Sequence, residues 1–101
     1  MLNKIRNSAR ERILILPHAI NQISRPERMI LIEEIERTIF HGEVIEDYPE
    51  DVRGHSCLML GYGKDKRPVH VICSPKIDYL AIITAYLPNQ KDWSDDYKTR
   101  I

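Results

Sequence analysis

The chain has 101 residues, of which 43% are hydrophobic, and a formal net charge of +0 at neutral pH. This length fits one domain spanning residues 1–101, and the apolar content argues against a disordered chain. The balanced charge argues against a nucleic-acid binder that relies on a strongly basic surface, but it does not exclude a local basic patch. The N-terminal stretch lacks the apolar core of a signal peptide, and no run reaches the roughly 20 apolar residues of a membrane span.

The two cysteines, Cys57 and Cys73, each lie inside an apolar run. The chain has no CxxC pair and no dense cysteine spacing, so neither a zinc ribbon nor a disulfide scaffold is predicted. We therefore expect buried free thiols in a reducing cytoplasm. The four histidines have no ligand-like spacing, and no Gly-rich phosphate loop is present, so we expect no metal and no cofactor.

The N-terminal quarter predicts short elements. Residues 2–11 fit a short helix with its apolar side chains on one side, or alternatively a loose basic arm. Residues 12–17 predict a short buried strand that ends at Pro17, since proline cannot continue a strand ladder. A brief helical turn is expected next.

The clearest helix pattern covers residues 29–40. Its apolar side chains recur four residues apart, at Leu31, Ile35 and Ile39. Ser24 and Glu27 have the spacing of a capping box, which predicts that the helix begins near residue 24. His41 is expected at the C-terminal end of this helix.

The pattern changes to strands after residue 42. Four apolar runs separated by polar turns predict an antiparallel meander. Helices followed by strands indicate an α+β fold, in which N-terminal helices pack on one face of a curved, mainly antiparallel sheet of four to five strands. The spacing of Trp93 and Tyr97 predicts a short terminal helix packed against the body.

The stretch at residues 43–51 contains five acidic residues in nine. A solvated edge strand that discourages pairing between sheets is the expected reading. A hidden catalytic carboxylate and a docking strip for a basic partner are the alternatives.

His70 lies in the middle of an apolar strand. Because side chains alternate between the two faces of a strand, His70 is expected to share a face with Leu80, Ile82, Thr84 and Tyr86 of the returning strand. The opposite face is uniformly apolar and suits packing under the helices, so His70 is expected on the more open face. The alternative is a structural histidine with satisfied hydrogen bonds.

A histidine, a tyrosine and an arginine are the groups that metal-free RNA cleavage requires, for proton transfer and for stabilising the phosphate. Histidine suits either proton role because its unperturbed pKa is near ~6.5. His70, Tyr86 and Arg67 are therefore candidates. His18 is a second candidate histidine, with a helix-start or buried structural role as its alternative. Arg28 lies shortly after it and could equally be ordinary helix charge.

Four segments in order resemble a small bacterial family of unknown function that is usually grouped with RelE-like toxins. They are "LPHAINQI", "FHGEVIEDYPED", "CLMLGYGKDKRPVHVI" and "IITAYLPNQKDWSDDYKTR". The resemblance covers essentially the whole chain, and it rests on the order and spacing of the segments rather than on any one of them.

This resemblance implies a RelE-like fold and a role as the toxin of a type II toxin–antitoxin pair, an endoribonuclease that leaves a 2′,3′-cyclic phosphate and acts on RNA, free or bound to ribosomes. The implied partner is a cognate antitoxin, often of the YgiT zinc-finger type. The implied catalytic residues are His70, His18 and Tyr86. The implied substrate-binding residues are Arg67, Arg28 and Thr84. A non-catalytic protein-binding module that uses the sheet face and the acidic strip at 43–51 is the competing hypothesis.

Overall fold

The computed structural model describes residues 1–101. Three α-helices come first along the chain, with one short strand among them, and four strands follow. The elements are α1 (Leu2–Glu11), β1 (Ile13–Ile15), α2 (Pro17–Ile23), α3 (Ile32–His41), β2 (Glu43–Tyr48), β3 (Ser56–Tyr62), a 3₁₀ turn (Lys64–Lys66), β4 (Pro68–Pro75) and β5 (Leu80–Tyr86). No helix is both long enough and apolar enough to cross a bilayer.

The strands form one mixed sheet in the order β1-β5-β4-β3-β2. Strands β2 to β5 are an antiparallel meander, as predicted, and β1 pairs with β5 in parallel. The α+β fold class is thereby confirmed. The acidic strand β2 lies at an edge of the sheet, which also agrees with the sequence.

The core lies between the helices and one face of the sheet, which we call the helix face. Ile5 of α1 and Ile35 of α3 are fully buried there against Met59, Val71 and Cys73. The N-terminal segment is thus a packed helix rather than a loose arm. Both cysteines are free thiols on this face, as expected.

Helix α3 packs closely on β3 because Gly61 has no side chain. A Cβ at Gly61 would overlap with Oγ1 of Thr38 and lie 2.7 Å from its Cα. The Thr38 hydroxyl is itself buried and donates to the Glu34 carbonyl within the helix. The small residue on the strand therefore fixes the distance between the helix and the sheet.

The predicted capping box is wrong. Helix α2 continues to Ile23, so Ser24 ends one helix instead of beginning the next. The segment that follows is a turn, and α3 begins only at Ile32. The N-terminal cap comes from Glu34, whose carboxylate accepts a hydrogen bond from the Leu31 N–H at 3.0 Å. The same carboxylate also accepts hydrogen bonds from the Lys64 N–H and the Arg67 guanidinium.

Candidate functional site

The face of the sheet opposite the helices carries His70, Thr84 and Tyr86. His70 lies directly opposite Tyr86 across the β4–β5 pair, and Ile72 lies opposite Thr84. The prediction that these three side chains share a face is confirmed. The register shifts after Ile72, so that Ile82 lies opposite Cys73 and packs in the helix-face core.

That shift is a β-bulge, and it corrects the prediction for the rest of β5. Leu80 and Ile82 belong to the core on the helix face, although simple alternation assigned them to the face of His70. A bulge adds one unpaired residue and reverses the parity beyond it. Alternation alone gave the right face near Tyr86 and the wrong face at the start of the strand.

His70 is fully buried, with 0% of its surface exposed. Its Nε2 lies 2.9 Å from the Tyr97 carbonyl oxygen, and its Nδ1 lies 3.1 Å from the Tyr86 hydroxyl. A carbonyl can only accept, so Nε2 carries the proton and Nδ1 accepts from Tyr86. The Trp93 ring meets the imidazole edge-on, with centroids 4.5 Å apart.

The expectation that the face of His70 is open is wrong because the C-terminal segment, residues 88–101, covers it. We call this segment the tail and the covered face the tail face. Trp93 is buried and pairs with Arg100 through an isolated β-bridge. The predicted terminal helix is also wrong, because residues 95–99 form turns and bends and Tyr97 has a positive φ of 62°, which a right-handed α-helix does not allow.

Two ion pairs fasten the tail to the edge strand β2. Lys98 Nζ lies 2.9 Å from Glu43, and the Arg100 guanidinium contacts both oxygens of Glu46 at 3.0–3.2 Å. The Arg100 guanidinium also stacks 4.7 Å from the centroid of the Trp93 ring, in cation–π geometry. The basic side chains that pair with the acidic strip therefore come from the tail of the same chain.

The groups under the tail have shifted proton affinities. Burial lowers the pKa of His70 below its usual value, and burial raises the pKa of Tyr86 to about 12. Burial opposes ionisation of Glu46, but hydrogen bonds from Arg100 and Tyr48 outweigh it and lower the pKa of that carboxyl. At neutral pH the site thus holds a neutral imidazole, a neutral phenol and a paired carboxylate.

Arg67 does not join this site. Its guanidinium lies 2.5–2.8 Å from the Glu34 carboxylate and donates to the carbonyls of Arg28 and Met29. These partners lie around the start of α3, on the helix side of the sheet. To bind a phosphate as predicted, Arg67 would have to give up these hydrogen bonds.

The other predicted residues also lie away from His70. Arg28 donates to the Gln22 side chain at 2.6 Å, next to the Arg67 network. His18 is exposed in the first turn of α2, a helix whose Ala19 is buried in the core on the helix face. The structure therefore does not bring His18 or Arg28 to the imidazole of His70.

Sequence reasoning kept a catalytic carboxylate in the strip 43–51 as an alternative without choosing Glu46, and it missed Tyr48 and Arg100. Glu46 and Tyr48 alternate in β2 and lie opposite Leu58 and Ser56 on the tail face. Their i, i+2 spacing was a usable signal. Arg100 carried no signal, because its position depends on how the tail folds back over the sheet.

A second group of polar side chains lies at the other face of the β2–β3 edge. Asp47 Oδ1 is 2.5 Å from His55 Nε2 and 3.2 Å from Cys57 Sγ. The three potential ligand atoms all lie within 4.8 Å of one another. The histidine spacing that argued against a metal could not reveal this cluster, since strand pairing brings Asp47 to it.

Comparison with known proteins adds one finding. No curated protein and no solved structure matches the chain. The family model described as a domain of unknown function, DUF4258, matches residues 15–87, from the last residue of β1 through β5. The matched segment includes His70 and Tyr86 but ends before the tail, and the chain therefore belongs to the DUF4258 family.

Proposed function

We propose that the protein is a cytoplasmic RelE-like toxin that cleaves RNA by metal-independent attack of the 2′-OH. The observation that supports this proposal best is the grouping of acid–base side chains on the tail face. They are His70, Tyr86, Tyr48, Glu46 and Arg100. RNA cleavage needs a proton acceptor, a proton donor and a cation beside the phosphate, and this face offers all of them.

The hydrogen bonds suggest a proton relay. The Tyr86 hydroxyl donates to Nδ1 of His70, which is neutral at pH 7 because burial lowers its pKa. A 2′-OH that reaches Tyr86 passes its proton to the phenol oxygen, while the phenol proton moves to Nδ1. The Tyr97 carbonyl holds the opposite nitrogen, which keeps the ring in the accepting tautomer. The same route returns the proton to the departing 5′-oxygen.

Arg100 takes the phosphate-binding role expected for Arg67. Its side chain is 60% exposed, so a phosphate can reach the guanidinium from solvent while Glu46 holds it in place. The Glu34 network occupies Arg67, as described above. Thr84 lies on the same face and is half-buried, where it can contact the substrate beside Tyr86.

We expect Tyr86→Phe to lower the RNA cleavage rate by about 10²–10⁴-fold, since it removes the relay hydroxyl and keeps the ring. The assay uses purified protein and a labelled RNA, with and without ribosomes, and identifies the 2′,3′-cyclic phosphate at the new end. Tyr62→Phe, at an exposed position at the end of β3, is the matched control and should leave the rate unchanged. Absence of cleavage by the unmodified chain in both conditions, or full activity of Tyr86→Phe, would overturn the proposal.

A second function, binding of a protein partner, is supported by an exposed apolar groove. Ile20, Met29, Leu31 and Ile32 are 46–59% exposed, and they line one groove beside the free edge of β1. Exposed apolar side chains that are contiguous are typical of a protein interface. The competing hypothesis expected a protein partner to bind the acidic strip, but that strip is already paired with the tail. The groove is therefore the better candidate for the surface that binds an antitoxin.

We expect the double change Met29→Glu and Leu31→Glu to weaken binding of the proposed cognate antitoxin by at least about tenfold. Co-expression followed by titration of the purified pair measures the dissociation constant. Ile77→Glu is the matched control, because Ile77 is fully exposed and lies outside the groove. Equal binding by the double variant and the unmodified chain would contradict this role of the groove.

A further inference from the structure

A second polar cluster at the β2–β3 edge is unrelated to the tail face. Asp47 and Cys57 lie directly opposite each other in the antiparallel pair, and His55 precedes Cys57 by two residues. His55 lies in the bend just before β3, and its contact with Asp47 brings it to the same side as Cys57. All three side chains therefore converge, although no two of them have a recognisable metal-binding spacing in the sequence.

The three groups differ in depth. Cys57 is fully buried, whereas the side chains of His55 and Asp47 are 39% and 51% exposed. The cluster is thus a shallow cup with sulfur at its base and with nitrogen and oxygen at its rim. An ion that enters from solvent meets the exposed Asp47 and His55 side chains first and reaches the buried Cys57 sulfur only when these two separate, and the exposed side leaves a position for water.

We propose that Asp47, His55 and Cys57 form a binding site for a divalent transition metal of the zinc class, with water as the fourth ligand. Sulfur, imidazole nitrogen and carboxylate oxygen are the zinc ligands of proteins, and three protein ligands plus water is the arrangement of an open zinc site. This proposal is independent of RNA cleavage, since the cluster lies on the helix side of the sheet and the proposed relay on the tail side.

The charges also fit a divalent cation. A Cys57 thiolate and an Asp47 carboxylate together carry two negative charges, which balance the ion, and the neutral imidazole adds none. In the metal-free chain the thiol keeps its proton, because burial and the neighbouring carboxylate raise the pKa of Cys57 to about 12. Metal binding displaces that proton to solvent.

The three ligand atoms lie within 4.8 Å of one another, and tetrahedral zinc bonds hold such atoms roughly 3.3–3.6 Å apart, so the side chains must shift by about 1 Å. Oδ1 and Sγ lie 3.2 Å apart, close to the roughly 3.5 Å that tetrahedral zinc bonds give between two ligand atoms. Oδ1 and Nε2 lie 2.5 Å apart, so they must separate by about 1 Å to admit the ion. Both side chains are partly exposed, and the buried sulfur can remain in place.

A neighbouring carboxylate does not compete for the ion. Asp51 accepts hydrogen bonds from the Arg53 side chain and from the Ser56 hydroxyl, and both oxygens are occupied. The cluster is thus limited to three ligands. The ion would join the two ends of the connection between β2 and β3, which spans residues 49–55.

Cobalt(II) is the probe, because a thiolate ligand gives it a charge-transfer band and a tetrahedral site gives it strong visible bands. We expect the reduced, chelator-treated chain to develop both on titration, with one ion per chain and displacement by zinc. Cys57→Ser should abolish the thiolate band, and Asp47→Asn or His55→Gln should weaken binding by at least about tenfold. Cys73→Ser and His41→Gln are the matched controls and should bind as the unmodified chain does.

Two outcomes overturn the proposal. One is the absence of a thiolate band in the unmodified chain at saturating cobalt. The other is a band that persists in Cys57→Ser or disappears in Cys73→Ser. If circular dichroism shows that Cys57→Ser does not fold, the test rests on Asp47→Asn and His55→Gln, which should fold because their side chains are partly exposed. Unchanged cobalt affinity in both of these variants then contradicts the site.

Discussion

Replacing Glu34 with glutamine is expected to lower the free energy of unfolding by about 2–4 kcal/mol. The Glu34 side chain is only 4% exposed, and its carboxylate accepts from the N–H groups of Leu31 and Lys64 and from the Arg67 guanidinium. Glutamine has one acceptor oxygen and no charge, so it leaves part of this network unpaired. Arg67 is 26% exposed, and water limits the loss by solvating it.

The acid dependence of stability tests the same carboxylate. The Arg67 hydrogen bond is the main cause that lowers the pKa of Glu34 from 4.5 to about 2. A carboxyl with a depressed folded-state pKa stabilises the fold above its unfolded pKa and loses that contribution as it becomes protonated. The chain should therefore lose roughly 3 kcal/mol as the pH falls from about 4.5 to about 2, and Glu34→Gln should lack this part of the loss.

Urea denaturation across this pH range measures both effects. Glu33→Gln is the matched control, because Glu33 is exposed in the same turn of α3 and should change stability by less than about 0.5 kcal/mol. Equal stability of the two variants at neutral pH would show that the buried network contributes nothing net.

Truncating His70 is the second change with a large expected effect. His70→Ala should cost about 3–4 kcal/mol, because it opens a cavity beside Trp93 and leaves the Tyr97 carbonyl and the Tyr86 hydroxyl without their shared partner. The loss should also release the tail. Faster proteolytic cleavage near Lys98, measured alongside unfolding, would report that release.

The pH dependence distinguishes the imidazole from a merely apolar core residue. Burial lowers the pKa of His70 in the folded chain, so between that value and about 6.5 the unfolded chain binds a proton that the folded chain does not. Stability should therefore fall as the pH drops below about 6.5. His70→Gln, which does not titrate, should lack this slope, whereas His41→Gln, at the exposed end of α3, should retain it. An unaltered slope in His70→Gln would refute the assignment.

The burial of His70 bears directly on the proposed chemistry. A histidine with both nitrogens bonded inside the chain can act on a substrate only through one of those partners. Tyr97 bonds through its backbone carbonyl, which has no proton to transfer, whereas Tyr86 offers a half-buried hydroxyl, which is why the relay runs through Tyr86. Cleavage that is slow in Tyr86→Phe but robust in His70→Gln would show that the phenol acts without the imidazole.

The sequence by itself determined the elements that local physics controls. Apolar spacing predicted the buried positions Ile35 and Ile39 of α3 and allowed a helix at residues 2–11 without excluding a loose arm, and alternation predicted the meander and its acidic edge strand. The same alternation assigned His70 and Tyr86 to one face correctly. These features depend on the repeat of the backbone, which a linear pattern records.

The tertiary structure decided everything that depends on contacts between distant residues. The bulge in β5 moved Ile82 to the other face, and the carboxylate of Glu34, held by Arg67, displaced the start of α3 from the local capping signal at Ser24. The tail brought Arg100 to Glu46, 54 residues earlier in the chain.

Strand pairing likewise brought Asp47 to Cys57. Side chains so far apart in the chain meet only after the sheet has formed, and no spacing in the sequence encodes that meeting. For this reason the sequence could nominate His70 as a functional residue but could not determine that the tail buries it, or which cation lies beside it.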